Sequence, residues 1–158
     1  MGSTFVSLAL EARDDEPGFW MTDYVLELWL RLLCLHIPEP IDAFTQSRRE
    51  RTYSIRNQWL LASRGWFVGC VPHGFEDACL SDEGRSIARA AIESLLLALQ
   101  DAPPYLAARQ LNLLGWHEPF KDDFESQRLI EVGQAFLELL DGKLTCTAKS
   151  IEFMPGCR

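Results

Sequence analysis

The chain has 158 residues, of which 47% are hydrophobic and 24% charged, a size and composition typical of one compact globular domain and not of a disordered or fibrous protein. Its formal net charge of -8 at pH 7 argues against a nucleic-acid-binding surface and against an anionic membrane as partner, because both require clustered Lys and Arg. The same charge favours a basic protein as partner over an anionic metabolite, since opposite charges speed encounter.

Three sequence features indicate where the protein works. The opening stretch Met1 to Asp15 lacks the basic leader and long apolar run of a secretory signal. The most apolar stretch, Tyr24 to Ile37, carries Glu27 and Arg31 and is too short to span a bilayer. The five cysteines are odd in number and irregularly spaced, which is typical of reduced thiols. We therefore expect a soluble, cytoplasmic protein.

The first elements along the chain are predicted to be a short strand and a helix. Apolar side chains alternate from Thr4 to Leu10, which is the period of a strand with one buried face. Asp23 is placed to cap a helix that continues to about His36. Pro38 and Pro40 end this helix, because proline lacks the N–H that a helix interior requires.

The first helix carries one narrow polar stripe on an otherwise apolar surface. Asp23, Glu27 and Arg31 lie four residues apart and therefore share one face. Because the other faces are apolar, we expect this helix to lie at the centre of the core. A second helix is predicted over Arg48 to Ser63, with Gly65 as its stop signal.

The C-terminal half is predicted to contain three more helices and a strand-forming tail. Ser81 caps a helix that ends near Gln100, and a shorter helix covers Pro104 to Leu114. A long amphipathic helix begins at Asp123 and is capped by Gly142. The alternating tail after this glycine predicts one or two short strands that pair with the N-terminal strand.

Together these elements predict a mainly α fold of the α+β class, with a single domain over residues 1–158. It contains about five helices and a small antiparallel sheet formed by the N- and C-terminal segments. No internal repeat, low-complexity tract or Gly/Ser-rich linker indicates a second domain.

The segment Trp66 to Phe75 has the least generic local sequence, WFVGCVPHGF. Its glycines and proline among aromatic and aliphatic residues predict an ordered, partly buried loop. Cys70 with His73 or His117 could form a thiolate and imidazole pair, so one hypothesis is an enzyme or small-ligand binder with a pocket beside this loop. Cys70, His73 and Cys79 lack the two close ligand pairs of a structural zinc site, and we expect neither a metal nor another cofactor.

The preferred hypothesis is a non-catalytic, acidic protein-binding module, most concretely a small bacterial immunity or antitoxin-type protein that neutralises a basic toxin or effector by direct binding. Carboxylates at helix starts would steer the partner, and loop aromatics would supply buried contact. The predicted partner-binding residues are Asp82, Glu83, Asp122, Asp123, Glu125, Trp66, Phe67 and Trp116. A further alternative is a homo-oligomeric structural component whose apolar first helix forms the interface.

Overall fold

The computed structural model describes residues 2–11, 13–39, 46–116 and 118–157. Within these ranges the fold is mainly helical with small antiparallel sheets, which confirms the predicted α+β class. The helices are α1 (Asp23–His36), α2 (Gln46–Ala62), α3 (Phe75–Ala78), α4 (Asp82–Gln100), α5 (Ala108–Leu111) and α6 (Ser126–Leu140), with a 3-10 turn at Asn112–Leu114. The strands are β1 (Ser3–Ser7), β2 (Gly18–Thr22), β3 (Tyr105–Leu106) and β4 (Phe124–Glu125). No helix of the described ranges combines the length and apolar character needed to cross a bilayer.

Helix α1 lies in the centre of the core, and its predicted end at His36 is confirmed. Asp23 is its first residue and not its cap, because Thr22 occupies the cap position and the carboxylate of Asp23 bonds to Thr4 and Gly69 instead. It packs against α2 on one side and α4 on another. Its fully buried apolar side chains are Val25, Leu26, Leu28, Trp29, Leu30 and Leu33. Because this surface is covered within the chain, the homo-oligomer hypothesis, which needed α1 as an interface, gains no support from the fold.

Helices α4 and α6 pack closely against each other. Ser81 caps α4 as predicted, since its Oγ accepts the backbone N–H three residues later at 3.1 Å. Gly133 allows the close approach of α6, because a Cβ at this position would lie 2.5 Å from Leu96 Cδ2. Phe136 of α6 stacks on Trp29 of α1 with ring centroids 5.8 Å apart, which joins this helix pair to the central helix.

The sheet at the chain ends differs in detail from the prediction. β1 pairs antiparallel with β2, a strand that the sequence reading did not include. The C-terminal segment joins this hairpin through a bridge between Pro17 and Thr147 and through Gly18 N, which donates to Cys146 O at 2.9 Å. The two ends of the chain therefore meet as expected, but the tail contributes one bridge and several turns where short strands were predicted.

The connection between α4 and α6 corrects two predicted helix starts. β3 pairs with β4, so Pro104 precedes a strand and the next helix starts only at Ala108. Asp123 does not begin α6, which starts at Ser126. Instead, its Oδ1 accepts the N–H of Ala108 at 2.9 Å and so satisfies the start of α5. Pairing between distant segments outweighs the local helix signals here.

Candidate functional site

A pocket of about 410 Å³ lies between the N-terminal half of α1, the loop 65–69 and the residues Trp116 and Glu118. We call it the acidic pocket, because three carboxylates line it together with three aromatic rings. These residues are Asp23, Glu27 and Glu118, and Tyr24, Phe67 and Trp116. Asp23 and Glu27 belong to the polar stripe of α1, so the one polar face of the central helix opens to this pocket.

Asp23 holds the pocket together, and each of its two carboxylate oxygens already accepts a hydrogen bond. Its Oδ1 accepts the hydroxyl of Thr4 at 2.8 Å, and its Oδ2 accepts the N–H of Gly69 at 2.7 Å. Thr4 Oγ1 in turn accepts the N–H of Val71 at 2.8 Å. This network ties β1, the start of α1 and the loop 65–71 to one another. Gly2 approaches closely, since a Cβ there would lie 2.0 Å from Asp23 Oδ2.

Glu27, one helical turn further along α1, is the unsatisfied carboxylate of the pocket. The residue is only 7% exposed, and within the described residues its carboxylate has neither a hydrogen bond nor an ion pair. Burial, followed by the charge of Asp23, raises the pKa of Glu27 to about 7, although Arg31 acts in the opposite direction. At neutral pH this carboxyl group therefore exists in both protonation states.

Arg31 completes the polar stripe but is committed to the backbone. Its Nη1 donates to Leu114 O and its Nη2 donates to Ser63 O, both at 2.9 Å. The guanidinium carbon also lies 5.7 Å from the centroid of the Trp116 ring. Arg31 thus joins the end of α2 to the 3-10 turn after α5 and fixes one aromatic wall of the pocket, and none of these contacts is to Glu27.

The aromatic walls are held from behind by packing and hydrogen bonds. Trp116 Nε1 donates to Leu111 O at 2.8 Å. The ring of Tyr24 lies 4.6 Å from that of Phe120 and 6.4 Å from that of Trp116, measured between centroids. Burial raises the pKa of Tyr24 to about 12, so its phenol is neutral at physiological pH. Both rings are therefore ordered before a ligand enters.

An apolar rim stands beside the pocket on the loop Gly65–Gly69. Trp66 is 68% exposed and Val68 is 84% exposed, with Phe67 between them at the pocket wall. Both flanking glycines have positive φ angles, 78° at Gly65 and 75° at Gly69, which other residues adopt at a cost. Of the two tryptophans predicted to bind a partner, Trp66 is exposed, whereas Trp116 is half-buried in the wall.

The predicted acidic residues fall into separate places. Asp122 and Asp123 are exposed and line a neighbouring cavity of about 320 Å³ that shares Tyr24 and Glu118 with the acidic pocket. The other predicted acids line neither cavity. Asp82 and Glu83 form the first turn of α4, and Glu125 is exposed on β4.

The predicted thiol and imidazole residues do not form the site. Cys70 is exposed on the loop, whereas His73 is buried with its Nδ1 3.0 Å from Glu76 Oε2 and 3.2 Å from Phe75 N. Neither lines the acidic pocket, and His117 lies outside the described residues. Among the residues that the structure describes, no group of three His, Cys, Asp or Glu side chains is arranged to hold a metal ion.

Sequence reasoning missed Glu27 as the central residue of a pocket, although its signal was present. A carboxylate in the middle of an almost wholly apolar helix must either find a partner or face a cavity. The spacing of Asp23, Glu27 and Arg31 made Arg31 the obvious partner. Only the three-dimensional arrangement shows that the backbone carbonyls of Ser63 and Leu114 engage Arg31 instead.

Comparison with known protein families, with characterised proteins and with solved structures gave no significant match for this chain.

Proposed function

We propose that the chain is a non-catalytic binding module for a basic protein and that the acidic pocket is its recognition site. The observation that carries the proposal is the carboxylate of Glu27, which is buried and unpaired within the described residues and lines the pocket. An ionised carboxylate without a partner costs free energy in the folded protein. A cationic group that enters the pocket recovers this free energy on binding, which couples the site to positively charged partners.

The surroundings of the pocket support a protein partner. Trp66 and Val68 offer exposed apolar surface directly beside the pocket, and tryptophan is enriched among the residues that dominate binding free energies. In the neighbouring cavity the carboxylates of Glu118, Asp122 and Asp123 outnumber the cationic groups of Lys121 and Arg128. Long-range attraction between such a surface and a basic partner accelerates encounter and weakens as salt increases.

The most concrete class for such a module is a bacterial immunity or antitoxin-type protein that acts in the cytoplasm and neutralises a basic toxin or effector. Three properties support this assignment: the modest size of 158 residues, the net charge of -8 and the presence of free cysteines. On this proposal the acidic pocket takes a basic side chain of the toxin. The apolar rim, with Trp66 and Val68, packs against apolar surface of the toxin around that side chain.

A pull-down from lysate of the source organism, at low and at high salt, tests the proposed function. We expect wild-type protein to retain a basic partner that high salt releases, and Glu27→Gln to retain much less. The double variant Asp122→Asn with Asp123→Asn should slow association at low salt. Glu131→Gln with Glu138→Gln removes two exposed acids of α6 that line neither cavity and serves as the matched control. Equal retention by Glu27→Gln and wild type would contradict the proposed recognition site.

A second candidate function is an enzyme or small-ligand binder that uses the same pocket. The observation in its favour is the pKa of Glu27, which burial and Asp23 raise to about 7, because general acids and bases work best when their pKa is near the operating pH. In this candidate function the reacting group is Glu27 and not the pair of Cys70 and His73 that the sequence suggested. Turnover of a small-molecule substrate that disappears in Glu27→Gln, without any captured protein, would favour it over the binding module.

A further inference from the structure

The acidic pocket contains the features that distinguish one kind of cation from another. Each oxygen of Asp23 already accepts one hydrogen bond, and Glu118 is exposed to solvent, so Glu27 is the buried carboxylate whose two oxygens have no hydrogen bond within the described part of the chain. Tyr24 and Trp116 present aromatic rings on the pocket wall. A free carboxylate beside flat aromatic surface matches a planar cation that donates two parallel hydrogen bonds.

We propose that the acidic pocket binds the guanidinium group of an arginine side chain, with Glu27 as the paired carboxylate. This inference rests on the proposed function, because it names the group that a basic partner inserts. The two N–H groups of one guanidinium edge reach both oxygens of Glu27, and the face of the group lies against Tyr24 or Trp116. Phe67 and Val68, at the pocket mouth, contact the methylene stem.

The protein's own arginines show that aromatic rings in this region accept guanidinium groups. Arg31 lies over Trp116 at 5.7 Å, Arg64 over Trp66 at 5.6 Å, and Arg128 over Phe124 at 4.4 Å, each measured from the guanidinium carbon to the ring centroid. Two of these rings line the acidic pocket or its neighbouring cavity. An arginine from a partner would extend an arrangement that the chain already uses.

A lysine side chain fits the pocket less well. Its ammonium group is a compact, strongly hydrated charge that has no planar face and cannot present two parallel donors in a fixed geometry. Glu27 lies in a largely buried position, where shedding this hydration is costly. Arg31, one helical turn further along α1, also acts on Glu27 through its charge, so a cation that gains both the bidentate pair and the aromatic contact is favoured over one that gains neither.

Capped single amino acids test the inference without a partner protein. N-acetyl-arginine amide, N-acetyl-lysine amide and the neutral N-acetyl-citrulline amide are titrated into the protein at about pH 8, while NMR follows the backbone amides of Gly65–Gly69 and the indole N–H of Trp116. We expect saturable binding of the arginine probe with a Kd on the order of 1 mM. Binding of the lysine probe should be at least about tenfold weaker, and the citrulline probe should produce no saturable shift.

Three variants make the titration decisive. Glu27→Gln should weaken the arginine probe by about tenfold or more, and Tyr24→Leu should weaken it by a smaller factor through loss of one aromatic wall. Glu131→Gln, which changes an exposed carboxylate of α6 that lines neither cavity, should bind like wild type. Circular dichroism verifies that each variant is folded. Equal affinity for the arginine and lysine probes, or an arginine affinity unchanged in Glu27→Gln, would overturn the inference.

The two proposals fail in different ways. If the arginine probe binds through Glu27 but lysate yields no basic partner, the guanidinium site stands and the protein-binding function does not. If a basic partner is captured through Glu27 but the probes show no preference for arginine, the binding module stands and the guanidinium assignment is wrong.

Discussion

The α4–α6 pair and the acidic pocket both adjoin the central helix α1, but one contacts it through close apolar packing and the other through polar groups around a cavity. Towards α4 and α6, α1 presents Trp29 and other fully buried apolar side chains. Phe136 stacks on Trp29, and Gly133 allows α6 to approach closely. Towards the pocket it presents Asp23 and Glu27, and a cavity remains. One side is closed by complementary apolar surfaces, while the other is held open by hydrogen bonds from Asp23 to Thr4 and Gly69.

The comparison separates a part of the chain that raises the free energy of unfolding from a part that lowers it. In a close-packed interior, removal of a methylene group lowers the free energy of unfolding, because the neighbouring side chains only partly fill the gap. In the pocket, the buried charge of Glu27 opposes folding unless a cation is present. Removal of a packed ring and neutralisation of Glu27 should therefore change the free energy of unfolding in opposite directions.

The largest effect is expected from Phe136→Ala. The ring is fully buried and packs against Phe19, Phe75 and Trp29 from three different elements. Its removal should lower the free energy of unfolding by about 3–5 kcal/mol, measured by chemical denaturation. Leu97→Ala, at an α4 position that is 64% exposed, is the control and should change it by less than about 0.5 kcal/mol. Similar losses in the two variants would contradict the assignment of Phe136 to the core.

A smaller loss is expected from Asp23→Ala, on the pocket side. The substitution leaves the N–H of Gly69 and the hydroxyl of Thr4 without their acceptor, which should cost about 2–3 kcal/mol. Because Asp23 also ties down the loop, limited proteolysis at Gly65–Gly69 should become faster in this variant. Asp122→Asn, an exposed acid near the pocket, should leave both the unfolding curve and the cleavage rate as in wild type. An unchanged cleavage rate in Asp23→Ala would show that the loop is held by other contacts.

The packed side and the pocket side of α1 also differ in how well the sequence predicts them. The end of α1 at His36 and the cap of α4 at Ser81 follow from local signals, because apolar periodicity and capping act within a few residues. The loop that contains Trp66 was also predicted from its glycines, two of which have positive φ angles at its ends. Such features need no knowledge of the distant chain.

The pocket side depended on contacts between distant segments and was predicted poorly. Asp123 looks like a helix cap for the residues that follow it, yet it satisfies Ala108, fifteen positions earlier. Cys70 and His73 look like a reactive pair, yet one is exposed and the other is buried. In the same way, nothing local indicates that backbone carbonyls engage Arg31 and leave Glu27 without its expected partner. Local patterns identify the chemical groups, but the fold decides which groups meet.

The smallest effect is expected from Glu27→Gln, and its sign is opposite to that of the other two substitutions. Burial and Asp23 raise the pKa of Glu27 from 4.5 to about 7, so between these values the folded protein binds a proton that the unfolded chain has released. The stability that this proton contributes is complete below the unfolded pKa and is lost as pH rises through about 7. Wild type should therefore lose stability relative to Glu27→Gln between about pH 5 and about pH 8, by on the order of 1–2 kcal/mol once water access to the pocket is considered.

Denaturation of both proteins across this pH range measures the difference, and Glu83→Gln at the start of α4 is the control, whose difference from wild type should stay flat. A cation bound at Glu27 favours the ionised form, so the arginine probe should remove most of the loss at high pH and bind more tightly there than at about pH 6. Parallel curves for wild type and Glu27→Gln would show that the pKa of Glu27 is the same in the folded and the unfolded protein. The carboxylate would then have a partner that offsets the effect of burial, and the pocket side of α1 would not lower the stability of the fold.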